Sequence, residues 1–197
     1  MHPQLTSVIQ ELDAARSRLH ALAATIDEPE WSRRPDRDRW SVAECVAHLD
    51  LTGEAFLPLI DEALGRAYAK GGGMQRRMRR SIAGWLLWRM QAPPPRFRVK
   101  TTKRFEPKGD LSKAELIERF DAVHDGLISR IHRADGYPID RVRLVSPFDA
   151  RVKYDVWASF TIIARHEQRH LWQAERVRDE LRAGKAGATA SKAAAAR

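Results

Sequence analysis

The sequence holds a single cysteine, Cys45, no apolar run long enough to cross a bilayer, and no acidic residue between Arg66 and Arg104. Each scarcity excludes something. One thiol rules out an internal disulfide and any multi-cysteine metal site, and it fits a reducing compartment. The most apolar stretch, Ser81 to Trp88, is far shorter than the roughly 20 residues of a membrane-spanning helix. The opening residues, MHPQLTSVIQELDAA, lack the basic-then-apolar pattern of a secretion signal, so a cytoplasmic location is the expectation.

The shortage of acids is local. The stretch from Arg66 to Arg104 carries 12 Lys and Arg, whereas the rest of the chain sets 23 basic residues against all 26 acidic ones. The formal net charge of +9 therefore belongs to one segment laid on a slightly acidic remainder. A protein built to grip a nucleic-acid backbone more often spreads its cations over the folded core. Binding to nucleic acid or to an anionic membrane surface is thus the less favoured reading of the charge. Hydrophobic residues make up 43% and charged residues 31% of 197 positions, the composition of one ordinary globular domain.

Apolar residues at helical spacing predict four long helices, and hence an all-α fold. Leu5, Val8, Leu12, Ala15, Leu19, Leu22 and Ile26 form the first stripe, which ends before Pro29. A second helix begins at Ser41, where Ser41 and Glu44 make a capping box, and continues through Val46, Leu49, Phe56, Ile60 and Leu64 toward Gly65 and Gly71–Gly73. A third begins at a second capping box, Ser112 with Glu115, with Leu111 and Leu116 placed as a hydrophobic staple. The stripe that follows is Leu116, Phe120, Val123, Leu127 and Ile131. An irregular stretch with Gly136, Pro138 and Pro147 leads to the fourth helix, from about Lys153 to Leu181. Residues 66–110 form a long basic crossover between the second and third helices, with RRMRR at 76–80, tryptophans at 85 and 88, and Pro93–Pro95. Residues 1–181 thus read as one helical-bundle domain, and residues 182–197, without bulky apolar side chains, as a disordered tail.

His166 and His170 stand four apart in the fourth helix, so both imidazoles project from one side and can reach a single ion. At about 100° per residue, His170 falls in the arc of Ile163, Val177 and Leu181, with His166 at its edge. Two histidines that merely border the core explain this pair equally well. A third ligand is required for a metal site, and His48 is the choice. It lies on a flank of the second helix, roughly 120° from the apolar face, where periodicity alone makes it a structural or surface histidine. Glu167 lies near the apolar arc, where an unpaired carboxylate is costly. It is expected to orient a ligand histidine or to form a salt bridge rather than to act as a base. His124 reads as a structural histidine, His2, His20 and His132 as surface residues, and Cys45 as a small core residue.

The block WSVAECVAHL at 40–49, followed far downstream by HEQRH at 166–170, resembles the DinB/YfiT-like family of metalloenzymes. The likeness extends over most of residues 1–181, including RFRVK at 96–100 and HLWQAE at 170–175. It implies a four-helix bundle that holds one divalent metal ion with a histidine from its second helix and two from its last, matching His48, His166 and His170. The family includes thiol-dependent transferases and an isomerase, which implies a small-molecule substrate, such as a thiol, and a homodimer, while the charge of the basic crossover suits an anionic substrate. Zinc, nickel and iron all accept imidazole, so the metal is open, as are the reaction and the catalytic residues. The competing readings are a non-catalytic metal- or ligand-binding bundle and an anionic-surface binder. HEQRH also fits the His-Glu-x-x-His pattern of zinc peptidases, but no third peptidase ligand follows it. The basic crossover is expected to cover or border the metal cavity.

Overall fold

The computed structural model describes residues 1–73, 77–94, 101–107 and 111–195, with residues 185–195 described by their backbone alone. The segment RFRVK at 96–100, together with Arg76 and Pro95 of the crossover, lies outside the described residues.

The chain is predominantly helical. Four long helices share the core: α1 (Pro3–Ala24), α3 (Val42–Tyr68), α5 (Lys113–Ala134) and α6 (Val156–Ala195). Two short ones, α2 (Glu28–Trp31) and α4 (Ile82–Met90), lie in the connections. Both capping boxes form: Ser41 with Glu44 starts α3 and Ser112 with Glu115 starts α5. α3 runs through Gly65 and ends at Tyr68, and Gly71 then takes a φ of 79°, a left-handed conformation that suits glycine. α3 packs on α5 and α6, and α1 packs on the same two helices.

The fourth long helix begins later than expected. Residues 143–145 (β1) and 153–155 (β2) pair antiparallel, with Leu144 opposite Tyr154, so Lys153 belongs to a strand. Asp155 then caps α6, its Oδ1 accepting from the Ala158 amide at 2.7 Å. Its Oδ2 accepts from the Ser81 amide at 2.6 Å, and the Ser81 hydroxyl in turn caps α4. α6 continues past the boundary expected at Leu181 as far as Ala195. Alanine, which recurs through this stretch, costs least in a helix interior.

The apolar interior falls into two clusters. One gathers Leu5, Phe56, Ile60, Leu127, Ile131 and Phe160; the other gathers Leu19, Trp31, Val42, Val46, Phe120 and Leu171. Along α3 the change from one to the other falls between Leu49 and Phe56, and along α6 between Ala164 and Leu171. The buried polar residues Asp50, Thr52 and Glu167 occupy those two intervals, and buried His48 stands at the edge of the first. A polar layer therefore crosses the interior between two hydrophobic halves.

Candidate metal centre

α3 carries His48 and α6 carries His166 and His170 into that layer. One nitrogen from each imidazole lies within 4.8 Å of those of the other two. The ring centroids are 4.6 Å apart for His48 and His170, 5.2 Å for His48 and His166, and 4.5 Å for His166 and His170. Among the described residues, these three form the group of His, Cys, Asp and Glu side chains spaced to hold one ion.

His48 is only 4% exposed, because its flank of α3 is covered rather than open. The cover is a 3₁₀ turn, Lys103–Phe105, at the end of the basic segment. Nδ1 of His48 donates to the Phe105 carbonyl at 2.9 Å. A carbonyl only accepts, so Nδ1 carries the proton and Nε2 keeps its lone pair for an ion. Trp40 and Phe148 complete the walls: the Trp40 ring lies 5.0 Å from His48 and 6.0 Å from His170, and the Phe148 ring 6.2 Å from His166.

Burial pushes the pKa of His48 below the usual histidine value, and Arg169 adds to the shift. Burial holds His166 and His170 well below it, reinforced by the neighbouring histidines and Arg169, while Gln173 pulls His170 the other way. All three imidazoles are therefore neutral near pH 7, the state in which they can donate to a metal. Nδ1 of His170 is buried without a hydrogen bond of good geometry. Three neutral nitrogen donors and an orphaned buried ring nitrogen fit a divalent cation of the zinc, nickel or iron type.

Glu167 points elsewhere. It is buried on α6, with Oε2 3.1 Å from Nε2 of His124 on α5, an ion-pair distance without good hydrogen-bond alignment. Burial raises the pKa of Glu167 even with His124 opposing it. Burial also disfavours the charged form of His124, but the Glu167 carboxylate outweighs that cost and raises the histidine. The salt-bridge partner of Glu167 on another helix is thus His124. Asp50, two residues after His48, is 1% exposed and neither carboxylate oxygen has a partner. Burial, with added repulsion from Glu54, Glu167 and Asp121 and relief from Arg119, pushes its pKa up to about 8. Cys45 is buried, His20 faces Asp121 at 3.0 Å, and His2 caps α1 through Nδ1.

A surface cleft of about 540 Å³ has Phe105 and Phe148 in its lining, with Leu51, Glu54, Leu59 and Arg104 among its other walls. Neither aromatic residue carries a sequence signal, since one sits in the crossover and the other in the loop between the strands. Asp50 had only its position next to His48 to mark it.

Residues 11–174 match the family model of the DinB superfamily. The chain belongs to that superfamily. The matched range contains His48, His166 and His170, the pair Glu167–His124 and the crossover. No curated protein and no solved structure matches the chain. Among the described residues, no helix is long and apolar enough to cross a membrane.

Proposed function

We propose that this DinB superfamily protein is a metal-dependent enzyme acting on a small substrate. Residues 1–181 form a single four-helix-bundle domain in which His48, His166 and His170 hold one divalent ion. The observation that carries the reading is the convergence of three neutral, largely buried imidazoles, with one ring nitrogen of His170 left without a good partner. An ion bound there supplies Lewis acidity toward a water or a thiol.

The residues of the chain set the remaining conditions. The Phe105 carbonyl fixes the His48 tautomer, so that Nε2 faces the other two histidines. Trp40 and Phe148 limit the water around the imidazoles. Arg169, which lies between His166 and His170 on α6 and lowers all three histidines, contributes a positive field that favours an anionic substrate. The cleft behind Phe105 and Phe148, with Arg104 at its wall, offers space for the apolar body of such a molecule. Glu167 is assigned to holding α6 against His124 of α5, which leaves the peptidase reading of HEQRH without its base.

Elemental analysis of the purified wild type and of His48→Ala, His166→Ala and His170→Ala tests the ligand set. The expected result is about one metal per wild-type chain and severe loss in each variant. Stoichiometric metal in all three variants overturns the assignment.

A further inference from the structure

The basic segment contains a feature that the metal centre does not use. Among the described residues, the exposed large hydrophobic side chains are Met1, Ile82, Trp85, Leu86, Met90 and Val145, and four of these six lie on α4. At about 100° per residue, Ile82, Trp85, Leu86 and Met90 share one side of that helix with Arg89 among them. Gly84, Leu87 and Trp88 occupy the other side. Ile82 is 88% exposed, whereas Gly84 is buried.

The inward side is firmly mounted. A Cβ on Gly84 would stand 2.4 Å from the Ala158 Cβ, so only glycine allows α4 to lie this close to α6. The Trp88 ring is held between the guanidinium groups of Arg80, 4.2 Å away, and Arg165, 3.9 Å away. The outward side is therefore presented by a fixed helix and not by a loose loop. Its surroundings are cationic: Arg89 lies over Trp85 at 5.7 Å, and Arg77 and Arg79 are exposed just before the helix.

We propose that the outer side of α4 docks on the surface of an anionic phospholipid bilayer. Ile82, Leu86 and Met90 enter the boundary between headgroups and acyl chains, Trp85 sits at that boundary, and Arg77, Arg79 and Arg89 meet the phosphates. Nine residues make a helix of about 13.5 Å, which lies along the surface and does not span it. Charge argues against a second copy of the chain as the occupant. A two-fold interface centred on α4 sets the same cationic patch against itself, and there is no acid between Arg66 and Arg104 to relieve it. A nucleic-acid backbone satisfies the arginines but leaves the aliphatic side chains without a role. This docking does not depend on the metal assignment.

Cosedimentation of the full-length protein with vesicles of equal phosphatidylglycerol and phosphatidylcholine, against phosphatidylcholine alone, tests the proposal. Binding is expected on the anionic vesicles at low salt, at least about tenfold tighter than on the neutral ones and weakened by added salt. Ile82→Asp combined with Leu86→Asp, both at exposed positions, should lower it by about tenfold or more. Arg77→Gln, Arg79→Gln and Arg89→Gln should each lower it by about fivefold. Unchanged melting temperatures establish that the variants remain folded. Failure of the wild type to bind anionic vesicles overturns the proposal. So does binding lost only in the arginine variants, which indicates charge attraction of the kind nucleic acid shares. A dimer-to-monomer change in the aspartate variant with unaltered vesicle binding overturns it in favour of self-association.

Discussion

Two glycines on α3, the helix that carries His48, should respond to the same substitution with opposite signs. Gly53 is buried where α3 crosses α5, and a Cβ there would stand 2.4 Å from Cγ1 of Val123. Carbon atoms in ordinary contact are about 3.5–4.0 Å apart, so Gly53→Ala requires a separation of about 1 Å. Val123 is β-branched and strongly prefers one rotamer in a helix, so it cannot simply turn away. Overpacking of this kind costs about 1–3 kcal/mol. Alanine recovers about 1 kcal/mol of helix propensity, leaving a net loss of about 0–2 kcal/mol, centred on about 1 kcal/mol. In a domain of this size a loss of about 1 kcal/mol lowers Tm by about 2–4 °C. Gly65 is exposed on the same helix with nothing within 4 Å of its added Cβ. Gly65→Ala meets no obstacle and should stabilise by about 0.5–1 kcal/mol. Thermal and urea unfolding of both variants, followed by circular dichroism, measures the two signs. Adding Val123→Ala should abolish the specific penalty of Gly53→Ala. A Gly53→Ala protein stabilised as much as Gly65→Ala refutes the close helix crossing.

The metal centre should be lost in acid, because His48, His166 and His170 titrate below the usual histidine value of 6.5. Metal retained after dialysis at stepped pH should fall only below that value; release centred above it contradicts the depressed pKa values. For Asp50, whose ordinary pKa is 3.8 and whose folded pKa is about 8, the unfolded chain ionises first. Its contribution to stability is present at low pH and is lost as pH rises between those values, by about 1.4 kcal/mol per unit. In chelator-treated protein, Asp50→Asn should remove that part of the slope in urea unfolding at pH 5 and 7.5, and identical slopes refute the burial argument. His124→Ala leaves Glu167 buried without its partner and should cost about 3–5 kcal/mol. Denaturation as stable as the wild type shows that the pair does not hold α5 to α6.

The legible parts of the fold are those encoded within single helices. The four long stripes and both capping boxes depend on contacts three and four residues apart; α1, α3 and α5 appear where the periodicity places them, and α6 covers its stripe although it starts and ends later than expected. The spacing of His166 and His170 likewise puts both on one side of α6, and the structure brings His48 to them. What periodicity misjudged was the flank of His48. A helical wheel treats a surface as open until another element covers it, and here the cover comes from Phe105, 57 residues away in the chain. The partners Asp50, His124 and Glu167 were obscure for the same reason, since each is defined by a neighbour on another helix. Strands of three residues are too short for a period of two to register, so the stretch before α6 reads as irregular and Asp155 passes unnoticed as its cap.

Asp155 joins two helix starts with one side chain: one oxygen receives the amide that opens α6, and the other receives the amide of the residue that caps α4. The positive ends of both helix dipoles therefore meet a single carboxylate. α4 cannot swing about its N-terminus without pulling on the first turn of the helix that carries His166 and His170. At the far end, Arg169 donates to the Met90 carbonyl at 3.1 Å, so the two helices are tied again one residue before His170. Pinned at both ends, they behave as one rigid strut. Whatever rests on the outer side of α4 fixes the orientation of the three-histidine centre in space, and a molecule leaving that centre does so at a constant height and angle above the contact.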